Sequence, residues 1–230
     1  MTTPPEPNAT IEWYYNSLKG QPRYTDIGKL RSLANKESIQ NRINEIIDTI
    51  MYQGWTVTGQ GTREVFKHFN FELRPFLYDI LIIDAGVLVK TFLRTSYKQT
   101  KASGYQLKPL SQRRLESLRA VDGGCFLKEV DVNGIVHRYW QYSYKHPHVA
   151  PVQFDVAEVA YCSWHPLSYS VYGHSPLEAY RDGFLYRLLW KPDPYPLKPE
   201  TIVEIKKAVE GTLNRDVMPE FGRGARFKFT

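Results

Sequence analysis

Tyr172-Gly173-His174-Ser175-Pro176-Leu177-Glu178 is the stretch on which the reading of this chain turns. Gly173 supplies backbone freedom for a tight turn. Ser175 is a good N-cap, because its hydroxyl can accept from a backbone N–H that a starting helix leaves without a partner. Pro176 suits the first helical position, and Glu178 falls where a capping box places its carboxylate. Behind the cap, Leu177, Phe184, Leu185, Leu188 and Leu189 form an apolar stripe at helical spacing. The stretch predicts a turn and then a capped helix running to Trp190.

Upstream of that turn the chain is rich in strand patterns. Gln106 to Leu110 and Arg114 to Arg119 are short strand candidates, as are Val152 to Phe154 and Val159 to Cys162. Between them, Cys125 to Val130 and Ile135 to Tyr144 flank Asp131-Val132-Asn133-Gly134, a hairpin with an Asn-Gly turn. Further back, Ile39, Ile43, Ile46, Ile47 and Ile50 repeat at three and four, so Asn35 to Gln53 predicts an amphipathic helix closed by Gly54. Trp55 to Thr58 reads as a short strand. Phe66, Phe69, Leu73, Leu77 and Ile80 then predict a helix from Thr62 to Asp84, kinked or broken at Pro75. Val87 to Leu93 is a strand of strong β-formers, and residues 95–104 read as a polar exposed loop.

Outside this region the pattern changes. Residues 1–26 form a Pro-rich arm whose Trp13-Tyr14-Tyr15 would be costly in water, so the arm is expected to dock on its own domain or a neighbour. Lys191 to Pro196 is a stiff proline linker. A charged helix from Pro199 to Val209 follows, expected to stop near Gly211, and then a tail from Met218 to Thr230. The expected organisation is an arm (1–26), an α+β domain (27–190), and a linker with a short helix and basic tail (191–230).

With 42% hydrophobic and 23% charged residues, the composition is that of an ordinary globular protein. The aromatic share of 14% favours interfaces, since a tyrosine ring buries area while its hydroxyl stays wet. A net charge of +6 permits contact with a polyanion. Cys125 and Cys162 write no disulfide framework and read as reduced core thiols. The first residues lack a charged start followed by an apolar run. The apolar run Ile80 to Ile83 stops at Asp84, too short to span a bilayer. The expectation is assembly in a cytoplasm with no membrane partner.

Several chemistries lack their residues. Gly28-Lys29-Leu30 is the nearest fragment to a phosphate-cradling loop, and it has neither the earlier glycine nor a following Ser or Thr. There is no G-x-G-x-x-G after a strand and no G-x-S-x-G elbow. No cofactor and no catalysis are expected. His146, His148, His165 and His174 gather near Cys162, but their spacing matches no zinc pattern, so they read as loop and turn histidines with no metal. Asp79 and Asp84 do not fall on one line of a helix and read as solvated or capping residues rather than an acid–base pair. In the tail, Arg223, Arg226 and Lys228 lie among Gly and Phe. That composition suits phosphate contact plus base stacking, as in a monomeric nucleic-acid-binding module, or else a frayed terminus with scattered charge.

Over roughly residues 27–190 the chain resembles the portal proteins of tailed viruses. Leu30 to Asn35, the helix Ile39 to Ile50 and Gly54-Trp55-Thr56-Val57 resemble the family's early helix running into a "G-W-x-V" strand. Asp79 to Lys90 resembles its helix-to-strand junction, read "D-x-L-x-x-G-N-A-Y", with Ala85-Gly86 altered in order and lacking the Asn. Leu107 to Leu115 resembles "L-x-P-L-x-P-x-R-V". The Asn133-Gly134 hairpin resembles the strand after it, and Phe154 to Trp164 the approach to "Y-G-x-S-P-L-E". Tyr172, Gly173, Ser175, Pro176, Leu177 and Glu178 carry that last motif here.

The resemblance implies a portal-like wing: an α+β body of helices packed on short, mostly antiparallel strands, with a C-terminal helix. It implies a structural subunit in a homo-oligomeric ring, usually of twelve copies, at one capsid vertex of a virion. Its implied partners are the capsid protein, the terminase packaging motor, the head–tail connector and double-stranded DNA without sequence specificity. Family members are longer, with stem helices and a clip after the S-P-L-E helix. The expectation is therefore a fragment, a split product, or a reduced relative completed by another chain.

Overall fold

The structure is a computed structural model describing residues 26–100, 104–143, 149–166, 170–178 and 199–230. Its elements in chain order are helices α1 (Ile27–Ala34) and α2 (Glu37–Gln53), strand β1 (Trp55–Thr58), helices α3 (Thr62–Val65) and α4 (Phe69–Ile83), and strand β2 (Gly86–Phe92). Strands β3 (Tyr97–Thr100), β4 (Gly104–Leu107), β5 (Leu115–Val121), β6 (Phe126–Val130), β7 (Val136–Gln141), β8 (Val152–Asp155) and β9 (Val159–Cys162) follow. Helix α5 (Pro199–Asp216) and strand β10 (Arg226–Phe229) close the chain. The fold is α+β, and every strand pairing among the described residues is antiparallel.

The centre is a three-stranded sheet ordered β5-β2-β9. β2 is apolar on both faces, with Val87, Leu88 and Phe92 buried, as a strand covered on both sides requires. Helix α4 packs on β5 and β2, α5 packs on β9 and β10, and α2 lies against both helices. The isoleucine stripe of α2 faces this seam: Ile43, Ile46, Ile47 and Ile50 are fully buried. A second sheet, β6-β7-β8, is built on the expected hairpin. Its turn needs Gly134 in the left-handed region (φ 78°), and Asp131 caps it by accepting from the amides of Asn133 and Ile135 at 2.8 Å each.

Three expectations are corrected. Helix α4 runs unbroken through Pro75, and the interruption comes earlier, at Phe66–His68. Proline removes the donor to the carbonyl of Phe71, a residue 77% exposed, so water takes the place of the lost partner. Within the expected loop at residues 95–104, Tyr97–Thr100 and Gly104 are strand, paired as β3 and β4. Buried Ser96 clips the base of the pair: its carbonyl accepts from Lys108 N at 2.8 Å and its hydroxyl from Arg114 N at 2.9 Å. Helix α5 continues past Gly211 to Asp216. An interior glycine costs about 1 kcal/mol, less than the roughly 2 kcal/mol gained by burying a leucine such as Leu213 beyond it.

The tail is no frayed end. β10 pairs with β1 in the register Trp55↔Phe229 and Val57↔Phe227. Phe227 and Phe229 are buried, and Phe227 joins an aromatic cluster with Trp55, Phe66 and Phe69 at centroid distances of 5.6 to 6.1 Å. A buried ionic group fastens the tail to the central sheet. Lys90 Nζ donates to the carbonyl of Asp216 at 2.6 Å and lies 3.5 Å from Glu220 Oε1, which Arg113 also approaches at 3.4 Å. The arm up to residue 25, the linker and the helix expected from Glu178 to Trp190 lie outside the described residues, as do His146 and His148.

Candidate functional site

The motif that opened the sequence is where the separate pieces of the body meet. Helix α4 ends at Asp84, a non-glycine residue in the left-handed region (φ 51°) that turns the chain into β2. That turn carries the Asp84 side chain inward to full burial. Its carboxylate accepts from the hydroxyl of Ser163, from Trp164 N at 2.6 Å and from His165 N at 3.1 Å, so it holds the segment that follows β9. Burial pushes the Asp84 carboxyl above its ordinary range, against the downward pull of the Ser163, His165 and Trp164 hydrogen bonds.

Gly173 is required by this carboxylate. A Cβ there would land on Asp84 Oδ2 and Ser163 Oγ, and no positive φ is involved. The glycine anticipated for conformational freedom is instead a glycine of close approach. Around it, Tyr172 is buried and its hydroxyl accepts from Lys128 N at 2.9 Å, closing the outer edge of β6. Lys128 Nζ in turn donates to Val171 O at 2.8 Å and sits 3.7 Å from the ring centre of Tyr161. The amide of His174 donates to His165 O at 3.2 Å.

Residues 176–178 are helical, and the cap is formed as anticipated. The hydroxyl of fully buried Ser175 accepts from Glu178 N at 3.2 Å. Leu177 is fully buried in the core, and the Glu178 carboxylate meets His174 Nδ1 at 3.2 Å. Tyr172, Ser175, Leu177 and Glu178 are therefore buried, Tyr172 reaching β6 and Ser175 and Glu178 closing the cap within the motif.

A second clamp lies beside the first. Asp79, expected to be solvated or capping, is buried and accepts from Gly123 N at 2.9 Å. A Cβ on Gly123 would overlap the carbonyl of Ala85. Arg31 of α1 pairs with both carboxylate oxygens of Asp122, and lies 3.8 Å from Asp79. Burial favours the neutral form of Asp122, but the hydrogen bond and charge of Arg31 together with the Gly124 amide outweigh it and hold the carboxyl below its usual range. Next to it, burial and the Asp122 carboxylate push the Cys125 thiol up to about 12, and burial does the same to Cys162. Both cysteines are free thiols.

Chemically this is a joint. Ser163 donates to a carboxylate, with no histidine between them to take its proton as a nucleophile would need. The His165 ring lies against Trp164, tilted, at 4.0 Å, and His174 is engaged by Glu178. Among the described residues no group of three His, Cys, Asp or Glu side chains is placed to hold a metal. The tail cations Arg223, Arg226 and Lys228 are all exposed. Arg226 and Lys228 share the outer face of β10 with Thr58 and Thr56 of β1, while Phe227 and Phe229 point into the core and offer no ring for base stacking. The sequence signal missed was the pairing of Asp84 with Gly173: an acid closing an apolar helix and a glycine far downstream carry no local mark of each other.

No family model matches the sequence, and no curated protein sequence matches it. The fold, in contrast, is found in solved structures. A chain in the virion of a native gene transfer agent (GTA) particle superposes with a TM-score of 0.51 at 11% identity, covering 96% of this chain and 66% of that one. A chain in the neck of an empty GTA particle, computed with C6 symmetry, superposes with a TM-score of 0.50 at 12% identity, covering 94% and 65%. The chain thus spans just under two thirds of the length of the solved chains it resembles.

Proposed function

We propose that this chain is a portal-type ring subunit: a non-enzymatic structural part of a phage-like particle, at the vertex where head meets tail. The observation that carries the reading is the likeness in fold to a GTA virion chain, which covers 96% of this chain. The joint supports it. Tyr172, Gly173, Ser175, Leu177 and Glu178 tie α4, β6 and β9 into one rigid wedge, and a ring needs subunits that keep their shape when neighbours press on both flanks. The wing-like body is residues 27–190, with the arm before it and the linker, α5 and tail after it.

In this reading copies of the chain, of the order of twelve, surround a channel for double-stranded DNA during packaging and ejection. The ring contacts capsid protein, serves as the docking platform for a terminase motor and a head–tail connector, assembles in the host cytoplasm and ends in the virion. Arg223, Arg226 and Lys228 belong to a surface that meets phosphates without reading bases. The test is the mass of the purified chain: particles many times 26.8 kDa with rotational symmetry in negative-stain images are expected. A monodisperse monomer at all concentrations, with or without DNA, overturns the reading.

A further inference from the structure

The stretch between Asp84 and Glu116 holds Lys90, Arg94, Lys98, Lys101, Lys108, Arg113 and Arg114 and no Asp or Glu at all. The fold brings the described members of this set to one region. Ser96 binds Lys108 and Arg114 through its carbonyl and hydroxyl, so the turn at residues 94–96, the end of β4 and the entry to β5 converge at the base of the β3–β4 hairpin. Two of the cations have internal work: Lys90 is buried on Asp216 and Glu220, and Arg113 reaches Glu220 and donates to Lys108 O at 2.6 Å. Arg94, Lys98 and Arg114 are exposed and take part in no ion pair among the described residues.

The nearby acids are engaged by other groups or form no ion pair with these three. Glu158 accepts from the Tyr97 hydroxyl at 3.0 Å on the hairpin face opposite Lys98, and Glu220 is 3% exposed beneath Arg113. Glu64 and Glu116 share with Arg113 and Arg114 the lining of a cleft of about 640 Å³, and neither forms an ion pair with Arg114 among the described residues. The hairpin sets Lys98 opposite Gln106 on one face, away from Tyr97 and Leu107, which turn to the body. Arg94, Lys98 and Arg114 are like charges with no ion pair of their own, and an anion bound across them relieves their mutual repulsion.

We propose that the β3–β4 hairpin and its Ser96-clipped base form a phosphate-backbone contact for double-stranded DNA, with Arg94, Lys98 and Arg114 as the contacting side chains. The assignment rests on the ring reading for its partner and adds the element that touches it. It also separates this patch from the β10 cations, which lie on a different sheet. Contact is with backbone charge, so it is blind to sequence and steep in salt.

The test uses the full chain and a labelled 30-base-pair duplex of mixed sequence, titrated by fluorescence anisotropy at several salt concentrations, with particle mass read on the same samples. The triple variant Arg94→Gln, Lys98→Gln and Arg114→Gln is compared with Arg226→Gln and Lys228→Gln together. The hairpin variant is expected to bind roughly tenfold to a hundredfold more weakly at low salt, with a log–log salt slope shallower by about 2.7 for three lost phosphate contacts. A scrambled duplex is expected to bind as well as the first. An unchanged slope in a hairpin variant with wild-type circular dichroism overturns the proposal, and single Lys98→Gln and Arg94→Gln variants decide the matter if the triple variant misfolds. Polyglutamate competing as well as duplex at equal charge reassigns the patch to an acidic protein partner and also overturns it. Rings that ignore duplex sink this proposal alone, whereas monomers whose duplex binding depends on the hairpin sink the ring reading alone.

Discussion

Asp79 and Asp84 stand near the end of one helix, and the protein neutralises its two buried acidic clamps in opposite ways. Asp79 shares its site with Asp122 and the guanidinium of Arg31, so charge meets charge. Among the described residues Asp84 pairs with no Lys or Arg, and it is held by one hydroxyl and two backbone amides. The first arrangement keeps a carboxyl ionised below its usual range, and the second leaves one raised above it. An ion pair tolerates some water, and Arg31 is in fact a third exposed. Hydrogen bonds to a lone buried carboxylate tolerate none, which is why Gly173 must come so close.

The largest effect follows from that closeness. Gly173→Ala is expected to cost about 4 kcal/mol in chemical denaturation, because the methyl forces the Asp84 carboxylate off its donors. Asp84→Ala should cost about 3 kcal/mol, leaving the Trp164 and His165 amides and the Ser163 hydroxyl without an acceptor. The double variant is the sharper measurement. Once the carboxylate is gone the methyl has space, so the pair should cost little more than either alone. Full additivity would mean that Gly173 answers to something other than Asp84.

Much of this fold was legible locally, and the exceptions share a cause. The isoleucine period of α2, the Asn133-Gly134 turn and the Ser175 cap each write their conformation within a few residues, and each is found. Gly211 and Pro75 were misread because a helix weighs a local penalty against burial and solvation several residues away. The tail was misread as stacking or frayed because Phe227 and Phe229 find their partners in Trp55, Phe66 and Phe69, far back in the chain. The Asp84 clamp has the same character. Local pattern announces elements, whereas a long-range contact announces itself only in one residue's need to be small or charged.

Arg31→Met breaks the charge-paired clamp and should cost about 1–2 kcal/mol at neutral pH, moderated by the exposure of the guanidinium. The pH dependence has a definite sign. Asp122 is depressed when folded, so its contribution is present above 3.8 and is lost as pH falls through the folded value. Acid unfolding of the wild type below pH 3.8 should therefore be steeper than that of Arg31→Met. Equal slopes would show that Arg31 does not hold Asp122 ionised.

The smallest change tests the other clamp from inside. Ser163→Ala removes one donor to Asp84 and leaves both amides, so it should cost about 1 kcal/mol at neutral pH. Because the Ser163 bond is a downward pull on Asp84, its loss raises that carboxyl further. A carboxyl raised on folding binds protons more tightly in the folded state, so stability falls as pH rises through the window above 3.8 and is level beyond it. In Ser163→Ala that fall should extend to higher pH than in the wild type, and in Asp84→Ala it should shrink to the part carried by Glu220, the other carboxyl raised by burial. Thermal melts of the three proteins between pH 4 and 8 separate these cases. A Ser163→Ala curve that stays parallel to the wild type throughout would mean the hydroxyl packs against Asp84 without bonding to its charge, and the contrast between the two clamps would rest on the amides alone.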